Sequence, residues 1–481
     1  VSTQSRTDPV PARGTGALIA VLVGAAFVMI LNETILSVAL RDLSVDLDVP
    51  TTTVQWLTSG FLLTMAIVIP TTGYLLDRFS PRAVFIASVG SFTAGTAICG
   101  FAPGFEVLLV GRVVQAVGTA MMLPLLMTTI LRLIPPERRG AMMGTIMIVI
   151  AVAPAVGPTI GGAVLSGLSW RWMFWLVLPL AAIALAVGAR RLRLEGGGRP
   201  VPLDVASVLL SAVGFGGLVY GLSAIGKGSG GGVPAWVPAV IGAVALVAFV
   251  LRQLRLQREG RPLLDLRPFQ QRSFVVALVL TALVLLSLIG VAAVLLPLYL
   301  QTVLGVSTVV SGLAVLPGGL LMGLLGRPVG ALFDRVGARP LVIPGAVLMA
   351  GGLGLFSTMG PGTPLAVVIG FHLILMAGLS LMMTPLMTEA LGALSEDLHS
   401  HGSAILSTLQ QVAGAMGTAL FVTVAALASA GAAAAPDADG LHAAFLVAGA
   451  VGVIALLLSL LVRSTKPGVT AGGRTATEAS H

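Results

Sequence analysis

Fourteen long apolar runs, separated by short charged or glycine- and proline-bearing segments, set what this chain can fold into. A helix needs roughly 20 apolar residues to cross the hydrocarbon core of a bilayer. The runs lie at about 16–40, 54–76, 83–102, 106–131, 140–165, 171–189, 204–226, 236–253, 273–297, 311–333, 340–359, 364–392, 402–428 and 440–463. With 56% hydrophobic and 10% charged residues and a mean hydropathy of +1.02, too little polar surface remains to solvate a soluble domain of this length. The 60 glycines agree, because small residues let membrane helices approach closely. The expectation is an all-α membrane protein of fourteen spans, numbered 1–14 below in chain order.

The formal charge of +8 does not mark a nucleic-acid binder, because the bases sit in short interhelical loops and form no basic face or domain. With a cytoplasmic N-terminus, all 27 lysines and arginines except Arg41, Arg112, Arg171 and Lys227 fall in or beside cytoplasmic segments. That asymmetry predicts a multi-pass protein of the cell membrane with both termini inside. Cys99 stands alone in an apolar stretch, which excludes a disulfide framework and a thiolate metal site. No cleavable signal peptide is expected, since residues 1–15 are polar and contain proline. No cofactor or metal is implied.

A charged motif occurs twice. Gly73, Leu75, Asp77, Arg78 and Arg82 are matched 257 positions later by Gly330, Leu332, Asp334, Arg335 and Arg339, each copy following one apolar run and preceding another. Met121, Met122, Pro124 and Leu125 in span 4 are echoed by Met382, Met383, Pro385 and Leu386 in span 12, at an offset of 261. The repeat pairs spans 1–6 with spans 9–14 and leaves spans 7 and 8 as an insertion. The expected organisation is a tail at 1–15, a six-helix bundle at 16–190, the insertion with its basic flanks at 191–272, a second bundle at 273–463 and a tail at 464–481. Two similar halves of this kind point to a duplicated polytopic transporter.

The repeated loop resembles the signature loop of the major facilitator superfamily, and fourteen spans with two inserted between six-span bundles resemble its drug:proton antiporter branch. Other motifs agree. Leu108, Arg112, Gln115 and Gly118 resemble the fourth-span arginine motif. Ala153, Pro154, Gly157, Pro158, Gly161 and Gly162 resemble the fifth-span motif associated with antiporters. Leu31, Asn32, Glu33, Thr34, Ser37, Ala39 and Leu40 resemble the first-span motif, and Pro297, Tyr299, Gln301, Leu304 and Gly305 also look typical of the branch. The likeness covers roughly residues 16–463. Asn32 stands where the commonest first-span motif has Asp, Ala116 where the fourth has Gly, and Ala153 where the fifth has its first Gly. The resemblance implies a multidrug efflux transporter, associated with antibiotic resistance, that exchanges substrate for protons by alternating access.

Physical reasons for these residues run beside the resemblance. An ionisable group inside a span costs about 2.5–3.5 kcal/mol on insertion scales, which marks Glu33 and Arg112 as functional. Counted from the expected outer ends, both lie near 10 Å deep and can pair if their helices adjoin. Desolvation disfavours the charged carboxylate while an arginine favours it, a competition that suits a proton switch; the alternative is a static ion pair that fixes helix register. His372, at a similar depth in span 12, is a candidate for the same relay, or else a hydrogen-bonded structural histidine. The two charged loops are expected to act as conformational gates by capping helix ends and bridging spans, or simply to set topology. Gly157, Pro158, Gly161 and Gly162 predict a kinked, close-packed seam.

Polar and polarizable residues elsewhere are cavity candidates: Asn32, Gln55, Trp56, Gln115, Met122, Tyr299, Gln301, Met383, Gln410 and Gln411. For each, ordinary packing is the competing reading. No G-x-x-x-x-G-K-[S/T] stretch occurs, so an ATPase is not expected, nor any other enzyme. The reading is a proton-coupled exporter of hydrophobic, neutral or monovalent cationic compounds that works as a monomer in the lipid bilayer. Its alternatives are a narrow exporter of one metabolite, antibiotic or lipid-like molecule, and a non-transporting receptor or scaffold.

Overall fold

A computed structural model describes residues 15–192, 203–227, 234, 236–429 and 436–463. The expected N- and C-terminal tails and part of the basic segment before span 7 lie outside them. The described residues are helical with no strand, and fourteen helical runs are long and apolar enough to span a membrane: Gly16–Leu36, Trp56–Arg78, Pro81–Gly100, Phe105–Leu133, Pro136–Leu165, Trp172–Arg191, Val205–Leu222, Trp236–Arg258, Arg272–Thr302, Thr308–Val336, Arg339–Phe356, Leu365–Gly392, Glu396–Ala428 and Ala438–Ser459. These are spans 1–14. The helix of span 1 is continuous from Thr15 to Asp46, so it runs well past its apolar stretch and past the expected outer end at Leu40.

Spans 5 and 9 are not uniform α-helices. A π-helical turn at Ile148–Val152 lies just before Pro154, and another at Leu288–Leu295 just before Pro297. A proline has no N–H for the carbonyl four residues back and its ring crowds that carbonyl, so the preceding turn widens. The distortion of span 5 therefore precedes Pro154 and is not centred on Pro158, which lies inside the regular helix Ala153–Leu165.

Within each half, neighbouring spans pack closely: spans 3 and 4, 1 and 5, and 3 and 6 in the first, and spans 11 and 12, 10 and 12, and 11 and 14 in the second. Span 7 pairs with span 8 and also touches span 2 of the first half and span 13 of the second. Trp56 at the start of span 2 stacks on Tyr220 of span 7, with ring centroids 5.8 Å apart and planes 19° apart. The insertion thus bridges the two halves along one side.

The halves meet most closely at the end that carries the two charged loops. There span 5 crosses span 10 with almost no side chain between them. A Cβ on Gly144 would collide with the Gly326 carbonyl, and one on Gly140 with that of Gly330. Glycines four residues apart on both helices, Gly140 and Gly144 against Gly330 and Gly326, bring backbone onto backbone. Towards the opposite end the contact opens: Pro158 and Gly162 of span 5 and Gly312 and Leu313 of span 10 are exposed.

Candidate functional site

A polar network links the first four spans in the interior of the first half. Arg112, fully buried in span 4, donates from Nη1 to Gln115 Oε1 at 3.0 Å and to Asn32 Oδ1 at 3.4 Å, and from Nε to the Leu57 carbonyl at 3.3 Å. Its guanidinium lies 4.1 Å from the centre of the Phe61 ring. Gln115 Nε2 in turn donates to Asn32 Oδ1 at 3.1 Å and to Thr96 Oγ1 at 2.8 Å. Helical spacing explains the arrangement: Arg112 and Gln115 are three apart and share a face of span 4, against which span 1 packs. Arg112 Nη2 is buried and has no hydrogen-bond partner among the described residues.

Asn32, not Glu33, is the residue that touches Arg112. Successive residues on a helix point about 100° apart, so the two cannot face span 4 together. No ion pair among the described residues joins Glu33 to Arg112, although the arginine's charge is felt at the carboxylate. Glu33 is half-buried and adjoins this network from one residue along. On the far side of span 1, Thr34, Ile35 and Val38 meet Gly157 and Gly161 of span 5. These glycines therefore form a seam within the first half, whereas Pro158 and Gly162 are exposed.

A second constellation closes the charged-loop end. Asp334 accepts from the backbone N–H groups of Gly140 at 2.7 Å and Ala141 at 2.9 Å, capping the start of the helix Arg139–Gly144 in the opposite half. A carboxylate at a helix N-terminus is worth about 0.3–2 kcal/mol. Asp77 lies 2.9 Å from His401 Nε2, at the start of span 13 in the second half, and also bonds to Ser400. Beside them, Thr128 of span 4 and Ser403 of span 13 share a hydrogen bond of 3.0 Å. Gly73 is close against His401, where a Cβ would sit 2.8 Å from Nδ1. Arg78 is partly buried; Arg82, Arg335 and Arg339 are exposed.

The remaining candidates are scattered. His372 is buried in span 12, with Nε2 3.2 Å from the Val315 carbonyl of span 10, and joins neither constellation. Gln411 of span 13 donates across to Met65 Sδ of span 2 at 3.9 Å, and the neighbouring Gln410 Nε2 is buried with no partner among the described residues. Asn32 and Gln115 are buried in the polar network, Met122 accepts from Ser88 at 3.7 Å, and Met383 is buried in the second half. Tyr299 donates to the Gly360 carbonyl at 2.8 Å, Gln301 is exposed and bonds to Thr308, and Gln55 is exposed beside Trp56. Phe61, Thr96, Thr128, Ser403 and His401 also belong to these two constellations. For His401 a signal existed: the offset of 261 that relates spans 4 and 12 also relates Gly140 to His401.

The Major Facilitator Superfamily model matches residues 22–418. The lincomycin resistance protein LmrB of Listeria monocytogenes is 40% identical over 407 residues, covering 85% of this chain and 86% of that protein. A multidrug resistance protein B homolog of Mycobacterium tuberculosis is 33% identical over 393 residues, covering 81% and 72%. Among solved structures, the proton:xylose symporter XylE superposes with a TM-score of 0.65 at 16% identity, covering 95% of this chain and 98% of that one. The human organic anion transporter MFSD10 superposes with a TM-score of 0.63 at 17% identity, covering 92% and 99%; at these identities the likeness concerns the fold. On this match and these relatives, the chain belongs to the Major Facilitator Superfamily and is a multi-pass membrane transporter.

Proposed function

We propose that the protein exports hydrophobic, neutral or monovalent cationic drug-like compounds in exchange for protons, by alternating access between its two six-helix halves. The observation that carries this reading is the buried Arg112–Asn32–Gln115 network with Glu33 beside it. A carboxylate at the edge of a buried cationic network can trade a proton for the arginine's charge without leaving its helix. Each proton moving down the full membrane potential supplies about 2.3 kcal/mol per 100 mV.

In this reading the charged-loop end is cytoplasmic, as the distribution of basic residues favours. It is closed by the Asp77 and Asp334 contacts and the glycine seam, and the opposite end is where substrate leaves. Gln411 and Met65, which meet across the halves, with the unpartnered Gln410 beside them, are the substrate contacts the geometry favours most. Tyr299, Gln301, Gln55 and Trp56 have other partners or lie at the surface, and His372 is a second candidate for the proton path. The names of the 40% identical relatives favour one narrower reading, an antibiotic exporter that takes lincomycin.

A panel of substrates in proteoliposomes with an imposed pH gradient tests both. Gradient-dependent movement of several unrelated apolar compounds is the expected result. Movement of lincomycin alone would select the narrow reading, and no dependence on the gradient would remove proton coupling.

A further inference from the structure

The two inter-half contacts are equivalent by the internal repeat, yet only one contains an imidazole. Asp334 closes on the backbone amides of Gly140 and Ala141. Asp77 occupies the matching loop, but the position matching Gly140 is His401, and its imidazole fills the place where the other contact has only backbone. We propose that His401 is a gating residue of the transport cycle, through which protons on the charged-loop side tighten the closed end.

This rests on the alternating-access reading above. The geometry gives the sign. His401 Nε2 faces the Asp77 carboxylate at 2.9 Å, so the neutral ring already donates one hydrogen bond and the protonated ring donates a charge-assisted one. Nδ1 faces Gly73 and has no partner among the described residues, which leaves it as the atom that gains the proton. The ring is buried while Asp77 is about one-third exposed, so the contact opens to its surroundings on the Asp77 side.

The charged surroundings are unequal. Arg132 of span 4 acts on Asp77, and Arg139 with Glu396 acts on the neighbouring His399. Arg78 follows Asp77 on its own helix, and Arg272 begins span 9, which packs on span 13. Span 7 contributes no acid or base to its packing on span 13 between Val205 and Gly226 other than Tyr220; span 12 brings Glu389 to the charged-loop end, and span 14 carries Asp439 and His442 at its other end, with Arg463 just past its near end beside Arg272 and Glu389. Asp77 is thus the anion in contact with the ring, and its charge decides the response.

A hydrogen bond from a cation contributes more than one from a neutral donor, enough to change a closed-to-open ratio about five-fold. The experiment uses full-length protein carrying Cys99→Ala and Glu33→Gln, the second to hold the coupling carboxylate constant. Spin labels at Ala83→Cys and Gln271→Cys, exposed positions of the two halves at this end, report the distance across it. Between pH 8 and pH 6 the short-distance population should rise about five-fold relative to the long one. In His401→Gln, whose amide still donates to Asp77, that dependence should vanish while the short distance remains populated. His401→Ser serves the same comparison if the Gln variant does not fold. A pH response retained without the imidazole, or none with it, would overturn the assignment. Gradient-driven uptake by the parent protein is measured separately, so failure of the coupling reading is seen on its own.

Discussion

Arg112 reaches across from span 4 to Asn32 Oδ1 at 3.4 Å, and the same oxygen accepts from Gln115 at 3.1 Å, so an amide stands at the contact where the related first-span motif most often has a carboxylate. The arginine therefore has no anion in contact with it among the described residues. The ionisable neighbour, Glu33, is one residue along and turned to another face of the helix. This divides two tasks between adjacent residues: Asn32 holds the network together, and Glu33 is the group that can change charge beside it.

Glu33→Gln should abolish proton-driven efflux while the protein remains folded and able to bind substrate, because the amide cannot release or take up a proton. The check is transport under a pH gradient alongside a substrate-binding measurement. Full wild-type transport by this variant would remove Glu33 from the coupling mechanism.

Asn32→Ala should behave differently. It takes an acceptor from both Arg112 and Gln115 and leaves buried donors unpaired, a loss of about 1–3 kcal/mol. Thermal unfolding in detergent should show a lower melting temperature for Asn32→Ala than for Glu33→Gln. Equal melting temperatures would mean that the network does not stabilise the bundle.

How far the sequence reached follows from which interactions are local. The spans were legible because a bilayer selects for uninterrupted apolar runs, and the charged loops because the repeat copies them. Rotation of a helix about its axis is set by its neighbours, so nothing local distinguished Asn32 from Glu33 as the partner of Arg112. The close-packed seam was expected at Gly157, Gly161 and Gly162. Gly157 and Gly161 join span 5 to span 1 within the first half while Gly162 meets no neighbour, and the inter-half crossing falls about four to six turns towards the charged-loop end, at Gly140 and Gly144. Their four-residue spacing, and that of Gly326 and Gly330, was readable, but which helix each set faces was not. At His401 the repeat sets an imidazole opposite Gly140, a difference in residue type that no charged motif marks.

Gly144→Val should weaken the closed state, since a side chain there has no space against the Gly326 carbonyl. Labels at Ala83→Cys and Gln271→Cys should report a longer mean distance, and efflux should fall at least about ten-fold, equivalent to roughly 1.4 kcal/mol on the conformational balance. An unchanged distance together with unchanged efflux would show that the seam yields without cost.

Asp77→Asn should shift cysteine accessibility between the two faces more than it changes apparent substrate affinity, because Asp77 binds the opposite half and lies at the charged-loop end of span 2. Unchanged accessibility with unchanged turnover would return the charged loops to a role in topology alone.

Span 7 bridges the halves from the side, through Trp56 against Tyr220 and through contacts with span 13, and span 8 packs on it. A photoreactive substrate should then label spans 1, 2, 4, 9 and 13 in preference to residues 204–253. Dominant labelling within 204–253 would place the transport path along the insertion.

The charge of the substrate follows from where the carboxylates lie. A cation in a low-dielectric cavity needs a nearby anion, and a rigid dication is better served by two. Asp77 and Asp334 are engaged in the inter-half contacts, and Asp204 is held in its charged form, below the usual carboxylate range, by hydrogen bonds from Arg252. Glu33 is the acid in the interior of its span, with Arg112 nearby to oppose a second positive charge, and Glu389 lies towards the charged-loop end of span 12. Efflux should accordingly favour neutral or monovalent apolar compounds over rigid dications. Matched monovalent and divalent cationic dyes, compared at equal concentration and pH, read this directly; faster efflux of the divalent dye would require a second acid in the binding site.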